Sequence, residues 1–170
     1  DTISEHITNF PISISYWVKS TTVSSTECAV WIGKNGVNDK YLQTGIKNGN
    51  AYATYRNTNF DSSAAWKDDG NSHTEGDGQW HHIAAIYPDE TKRHIYVDGL
   101  LAGSKTFTQP YYTDANQLAI GNNNRNNNLT DEFNGLIANV RIDSHKLSTA
   151  DILVLSLVQI QTISQTQATT

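Results

Sequence analysis

Six histidines, a lone cysteine and a handful of closely spaced carboxylates are the residues that could carry catalysis. A retaining glycoside hydrolase needs two carboxylates about 5–5.5 Å apart, a distance that positions i and i+2 of one strand supply. Glu75 and Asp77 have that spacing, but they alternate with Gly76 and Gly78 in a polar segment without strand period. They read as solvated loop acids. Asp68-Asp69 and Asp131-Glu132 are adjacent, so on a strand each pair would point to opposite faces. The same parity separates His81 from His82. If 88–92 is a simple hairpin loop, Ile86 faces His94 and His82 faces Asp98. His82 and His94 then stand about four residues apart along the strands, too far to share a metal. Cys28 lacks a companion motif and reads as a small buried apolar group. Catalysis is not expected.

Sugar recognition asks for different parts: aromatic faces to stack on, and planar polar groups that fork onto hydroxyl pairs. Trp17, Trp31 and Trp80 stand in strand-like blocks, where burial is the default. Trp66 lies instead in the polar stretch 58–78, beside Lys67 and Asp68. Tyr111 and Tyr112 follow Pro110 in a second stretch without period, and Tyr55-Arg56 ends a strand leading to the long loop. Trp66, Tyr111, Tyr112, Tyr55 and Arg56 are therefore the candidate carbohydrate-binding residues. A loop tryptophan can equally be a lid over the edge of a core. The segment GNNNRNNNLTDEF (121–133) is rich in the oxygen ligands that hold calcium, with Asn124, Asp131 and Glu132 as candidate ligands. Against calcium, the loop brings little negative charge and lacks regular acidic spacing. A turn rich in left-handed asparagines is the competing reading.

Charge and composition narrow the partners. Lys plus Arg is 12 against 17 Asp plus Glu, a net charge of −5, and no basic cluster reverses it locally. That disfavours binding to phosphate backbones, so no nucleic-acid partner is expected. No apolar run reaches the ~18 residues that a spanning helix needs, so no membrane insertion is expected. A lone cysteine excludes an internal disulfide and hence a disulfide-stapled miniprotein. Ser, Thr and Asn number 14, 19 and 17, together 50 of 170 residues. Ser and Asn favour turns and Thr favours strands, which points to an all-β chain with many loops.

The elements follow from period-2 runs bounded by Gly, Asn and Asp. ISISYWVK (12–19) sets Ile12, Ile14, Tyr16 and Val18 against Ser13, Ser15, Trp17 and Lys19. AVWIGK (29–34), YLQTGIK (41–47) and AYATYRN (51–57) are further strands. WHHIAAIY (80–87) and RHIYV (93–97) make a hairpin, and Asp98-Gly99 is a second tight turn. QLAIG (117–121) and FNGLIANVRID (133–143) are late strands. Ser148 followed by Asp151 is an acidic variant of the capping box, so a short helical turn is expected near 148–155. The apolar stretch that follows reads as a closing strand, a helix extension or a partner-binding tail. One domain over 1–161 with a polar tail over 162–170 is the simplest division.

DGQWHHIAAIYPDETKRHIYVDGLLAG (77–103) resembles the central hairpin of laminin-G-like, concanavalin-A-like jelly rolls, a group that includes the pentraxins. ISISYWVK resembles the family's early strand, and FNGLIANVRIDSHKLSTADI (133–152) its closing strand and terminal helical turn. The resemblance implies a two-sheet antiparallel jelly-roll sandwich with loops gathered at its ends. It also lends weight to calcium near the Asn-rich loop, where related modules carry it. The function expected is a non-catalytic, lectin-like module of a larger surface, secreted or virion protein, binding a glycan or polysaccharide outside the cell. The alternative is a structural or protein–protein interaction module, such as a virion decoration or adhesin domain, with 153–170 docking other subunits or domains of a parent protein. Trp17 and Trp80 should be largely buried between the sheets.

Overall fold

The computed structural model describes residues 9–34, 36–37, 40–57, 64–66, 74–106 and 115–167, with 64–66 and 159–167 described by backbone alone. Alternation in the sequence becomes twelve strands: β1 (Ile12–Ser20), β2 (Thr26–Gly33), β3 (Lys40–Lys47), β4 (Asn50–Asn57), β5 (Ala64–Trp66), β6 (Trp80–Asp89), β7 (Lys92–Val97), β8 (Leu100–Thr106), β9 (Gln117–Ile120), β10 (Asn123–Arg125), β11 (Asn128–Thr130) and β12 (Gly135–Asp143). One helix follows, α1 (Thr149–Gln167). The strands form two five-stranded sheets, β12-β1-β6-β7-β8 and β5-β4-β3-β2-β9, and β10-β11 is a separate hairpin. Every paired register is antiparallel. This is the jelly-roll sandwich expected from the sequence.

The core is the layer that the even-numbered β1 residues face. Ile12, Ile14, Tyr16 and Val18 join Ile83, Ala85 and Tyr87 of β6 and Ile32, Leu42, Ile46 and Tyr55 from the other sheet. Each buried Ile or Leu contributes roughly 1.5–3 kcal/mol by leaving water. Buried hydroxyls find partners across the layer. The Tyr87 hydroxyl reaches the carbonyls of Gln43 and Thr54, both at 3.1 Å. Tyr16 and Thr44 share a hydroxyl–hydroxyl bond of 2.8 Å. The β6–β7 register is the one the spacing predicts, with Ile86 opposite His94 and the Asp98 N–H donating to the His82 carbonyl.

Trp17 and Trp80 depart from expectation in different ways. Trp17 is 2% exposed, but it follows the parity of Ser13 and Ser15 and so lies on the outer face of its sheet. Trp80 is only half-buried. It opens β6 opposite Lys19, at the end of the sheet where the core runs out.

The outer face of the first sheet is covered by α1. Ala84 and Ile86 pack with Leu147 and Ile152, and Tyr96 and Leu155 join them. The Ser13 hydroxyl donates to the His145 carbonyl at 2.7 Å and accepts from the Leu147 N–H at 3.0 Å, fastening the helix approach to β1. Gly99, at φ 85°, allows the seat: a Cβ there would come within 2.7 Å of the Ser156 hydroxyl and 2.9 Å of Leu153. The capping box forms as read. The Asp151 N–H donates to the Ser148 hydroxyl at 3.1 Å, and the Ser148 N–H donates back to the Asp151 carboxylate at 3.0 Å. The Ser148 hydroxyl, 2.6 Å from the Asp151 carboxylate, and then that N–H hold the carboxyl below the usual carboxylate range. Of the three readings of the C-terminal stretch, helix extension is what forms: the helix runs beyond 155 to Gln167. No described helix is long and apolar enough to cross a membrane.

Candidate functional site

The outer face of the second sheet carries the other set of large side chains. On β2, Cys28 and Trp31 point away from the core and cluster with Tyr41 of β3 and Ala119 of β9. Trp31 lies across Gly33, where a Cβ would come within 2.3 Å of the indole ring. Tyr41 sits beside it, ring centroids 6.4 Å apart. Gln43 and Tyr52 continue the row, and the Gln43 amide donates to the Tyr52 hydroxyl. Trp31, Tyr41, Gln43 and Tyr52 are all at least 96% buried.

The Asn-rich segment lies over this face. It is not an open loop but a two-stranded hairpin, with Asn123 opposite Thr130, Asn124 opposite Leu129 and Arg125 opposite Asn128. Asn126 and Asn127 take the turn at φ 52° and 61°, the left-handed geometry that asparagine tolerates. Asp131 is its anchor. Its carbonyl accepts from the Cys28 N–H at 2.8 Å. Its carboxylate accepts from the Asn123 amide at 2.5 Å and the Gln43 amide at 3.4 Å, and lies 3.6 Å from the Arg125 guanidinium. Burial, reinforced by Asp131, pushes the Cys28 thiol well above its ordinary range, so it stays a protonated packing group.

That donor set does not suit calcium. The Asp131 carboxylate is ringed by amide N–H groups and a guanidinium, which would repel a cation. Asn124 turns its amide N–H to Gln117 at 2.9 Å, and Glu132 is exposed. Among the described residues no group of three or more His, Cys, Asp or Glu could hold a metal.

The upper surface of the hairpin remains open. Arg125, Asn126, Asn128 and Thr130 line a polar depression of about 330 Å³. The Arg125 guanidinium lies over the Tyr41 ring, 5.7 Å from its centroid, a cation–π contact that fixes its plane. Arg56 is half-buried and stands opposite Tyr41 in the β3–β4 register, so two guanidinium residues flank one aromatic. Planar donors, carboxamides and a hydroxyl at a shallow, solvent-facing depression are groups that can fork onto vicinal hydroxyls.

The five residues read from the sequence as a sugar site fare differently. Tyr55 is 1% exposed inside the core, edge-on to Phe10 at 5.4 Å with the Arg93 guanidinium over it at 5.3 Å. Its ring offers no face to a ligand, because position 55 falls on the inward parity of β4. Arg56, one residue on, falls on the outward parity. Trp66 lies not in a loop but on the three-residue strand β5, its backbone paired with Tyr52. Tyr111 and Tyr112 lie outside the described residues. Arg125 was missed. Its signal was present, as the one cation inside a run of six asparagines.

The carboxylate pair 75/77 is also placed differently from its reading. Glu75 is not solvated: it is 1% exposed and accepts from the Ala51 N–H at 2.5 Å. Asp77 is exposed and, 3.2 Å from His81, helps Asp98 hold that ring, whose other nitrogen is 2.8 Å from the Asp98 carboxylate. The bond to Asp98 raises the His81 pKa above its usual value.

Two antiparallel sheets in this order, with the outer faces of both covered by later segments, define a lectin-type jelly roll. The chain belongs to the concanavalin A-like lectin/glucanases superfamily, whose family model matches residues 2–153. Among solved structures it is similar to the CBM40 module of a Ruminococcus gnavus IT-sialidase, at 15% identity and a TM-score of 0.71, covering 89% of this chain and 84% of that one. The same module bound to alpha2,3 sialyllactose matches at 17% identity and a TM-score of 0.69, covering 87% of this chain and 83% of that one. The receptor binding domain of a botulinum neurotoxin mosaic serotype C/D matches at 20% identity and a TM-score of 0.66, covering 88% of this chain and 37% of that one. At such identities the likeness shows the fold alone. No curated protein sequence matches.

Proposed function

We propose that this chain is a non-catalytic carbohydrate-binding module of a larger extracellular, cell-surface or virion protein, and that it takes its glycan on the hairpin side of the second sheet. The observation that carries the reading is the depression lined by Arg125, Asn126, Asn128 and Thr130, mounted on a rigid face and open to solvent. Arg56 on β4 and Trp66 on β5 belong to the same sheet and are proposed to add to it. Both come from the candidate set read in the sequence, and Tyr111 and Tyr112 remain proposed members of it. The sialyllactose-bound module of the same fold supports glycan as the ligand class. Against catalysis stands the use of Glu75 as a buried backbone acceptor. Weak single-site affinity would be raised by repetition of the module in its parent.

A glycan array of neutral and acidic sugars, run with calcium and with a chelator, tests this. At least one binding class is expected, unaffected by chelation, since Asp131 is already satisfied by N–H donors. An array blank in both conditions would sink the reading.

One observation favours a second reading, a protein-docking module. Along α1, Leu153, Val154, Leu157 and Val158 are exposed by 44 to 57%. The helix carries no charged residue after Asp151. Neighbouring exposed apolar side chains of this size mark a surface that is ordinarily covered. A parent protein whose next domain seats on α1 would explain it, and equal hydrogen-exchange protection of α1 in this chain and in the longer parent would count against it.

A further inference from the structure

A cavity of about 280 Å³ lies between α1 and the outer face of the first sheet. We propose that it is a second binding site, for an uncharged aromatic molecule of one or two rings bearing one hydrogen-bonding group, as in phenols and indoles. It is separate from the hairpin depression on the other sheet and does not rest on the glycan reading.

The walls argue for the ligand. Trp17 on the sheet side and Leu155 and Val158 on the helix side are apolar. A cavity of about 150 Å³ lined by apolar side chains takes up benzene, so this volume suits one or two rings. Polar groups come from Ser15, His82 and Asn139. His82 is 2% exposed, and its Nδ1 has no hydrogen-bond partner. Leaving a buried polar atom unpaired costs about 1–3 kcal/mol, which a bound hydroxyl or ring N–H would relieve once a small rotation of the ring turns Nδ1 to the cavity. Burial pushes the His82 pKa down to about 4, against the pull of Asp98, so the imidazole is neutral at pH 7. The indole of Trp17 lies 5.5 Å from that ring and fixes it.

Asn139 reaches the cavity through a β-bulge. Ser15 pairs with Arg141 and Trp17 with Ala138, so Asn139 and Val140 together oppose Tyr16. Asn139 takes φ 50°. Bulges re-aim side chains and gather beside functional sites.

Charge and polarity exclude the competing classes. Arg141 also lines the cavity, but Asp143 holds its guanidinium by two bonds of 2.7 and 2.9 Å, so neither sign of ligand finds an uncompensated partner. A pyranose would press hydroxyls against Leu155 and Val158 without partners, a desolvation loss that a phenol avoids on all but one atom.

Phenol, indole, toluene and methyl glucoside would be titrated into the intact chain, with the His82 ring and the Leu155 and Val158 methyls followed by NMR. The expected result is saturable shifts at these groups with phenol and indole, and weaker binding of toluene, which lacks the hydrogen-bonding group. Val158→Trp, at a position 57% exposed on the helix, should fill the cavity and weaken phenol at least about tenfold with an unchanged circular dichroism spectrum. The wild-type ranking of phenol over toluene tests the His82 contact without any variant. Absence of saturable shifts up to the solubility limit, equal binding of phenol and toluene, binding of methyl glucoside as tight as phenol, or unaltered affinity in a folded Val158→Trp would each overturn the proposal.

Discussion

Each sheet buries a tryptophan on the face turned away from the core, but the two covers differ in kind. Trp17 on the first sheet lies under an apolar helix, seated by Ile152 and Leu155 against Ala84 and Ile86. Trp31 on the second sheet is packed with Cys28 and Tyr41, and the neighbouring cover is a polar hairpin held by Asp131. The sheet beneath the helix holds a neutral histidine, and the helix shows leucines and valines to solvent. The hairpin does the reverse: its anchor groups are consumed beneath, and its arginine and asparagines face out. Equal burial of two indoles thus leaves one face suited to apolar contacts and the other to polyhydroxyl ligands.

Breaking the helix cover should have the largest effect on stability. Ile152 is fully buried, so Ile152→Ala should cost about 2–5 kcal/mol in urea denaturation. Glycan binding by the folded fraction should be unchanged, because the hairpin lies on the other sheet.

Acid should loosen the same side selectively. The His82 pKa is about 4 in the folded chain against 6.5 ordinarily, so between those values the unfolded chain binds more protons. Stability is then full above pH 6.5 and falls as pH drops through that window, by about 3 kcal/mol. His82→Phe should flatten this limb. His81 works in the opposite sense. Its raised pKa gives stability that is present below 6.5 and lost as pH climbs through the folded value. Burial also lowers the His94 pKa, so His82 is read as the difference between His81→Gln and His81→Gln/His82→Phe chains.

On the second sheet the matching perturbation is smaller. A Cβ at Gly33 meets the Trp31 ring at 2.3 Å and the Lys40 carbonyl at 2.7 Å. Gly33→Ala should cost about 1–3 kcal/mol as overpacking. It should also shift tryptophan emission, since Trp31 must move off the strand.

How far the sequence reaches differs between the covers. Strand parity placed the β6–β7 register and separated His81 from His82, because alternation is local and period-2 burial enforces it. Ser148 and Asp151 announced the helix start for the same reason. Its length was not legible, since an uncharged apolar run has no stop signal and fits strand and helix equally. Tyr55 misled because it sits beside a long loop while its parity, not its neighbourhood, decides its face. The hairpin was hidden in asparagines, residues that signal turns rather than pairing. Arg125 became interpretable only with Tyr41 beneath it, a contact between positions 84 residues apart.

Glycan binding on the polar cover depends most directly on Arg125. Calorimetry of Arg125→Ala against the strongest array ligand should show affinity about tenfold weaker or more. The thermal midpoint should hardly change, because the Arg125–Asp131 pair is partly exposed and surface pairs of that kind contribute little. Wild-type affinity in a folded Arg125→Ala chain would contradict the account and move the site off the hairpin.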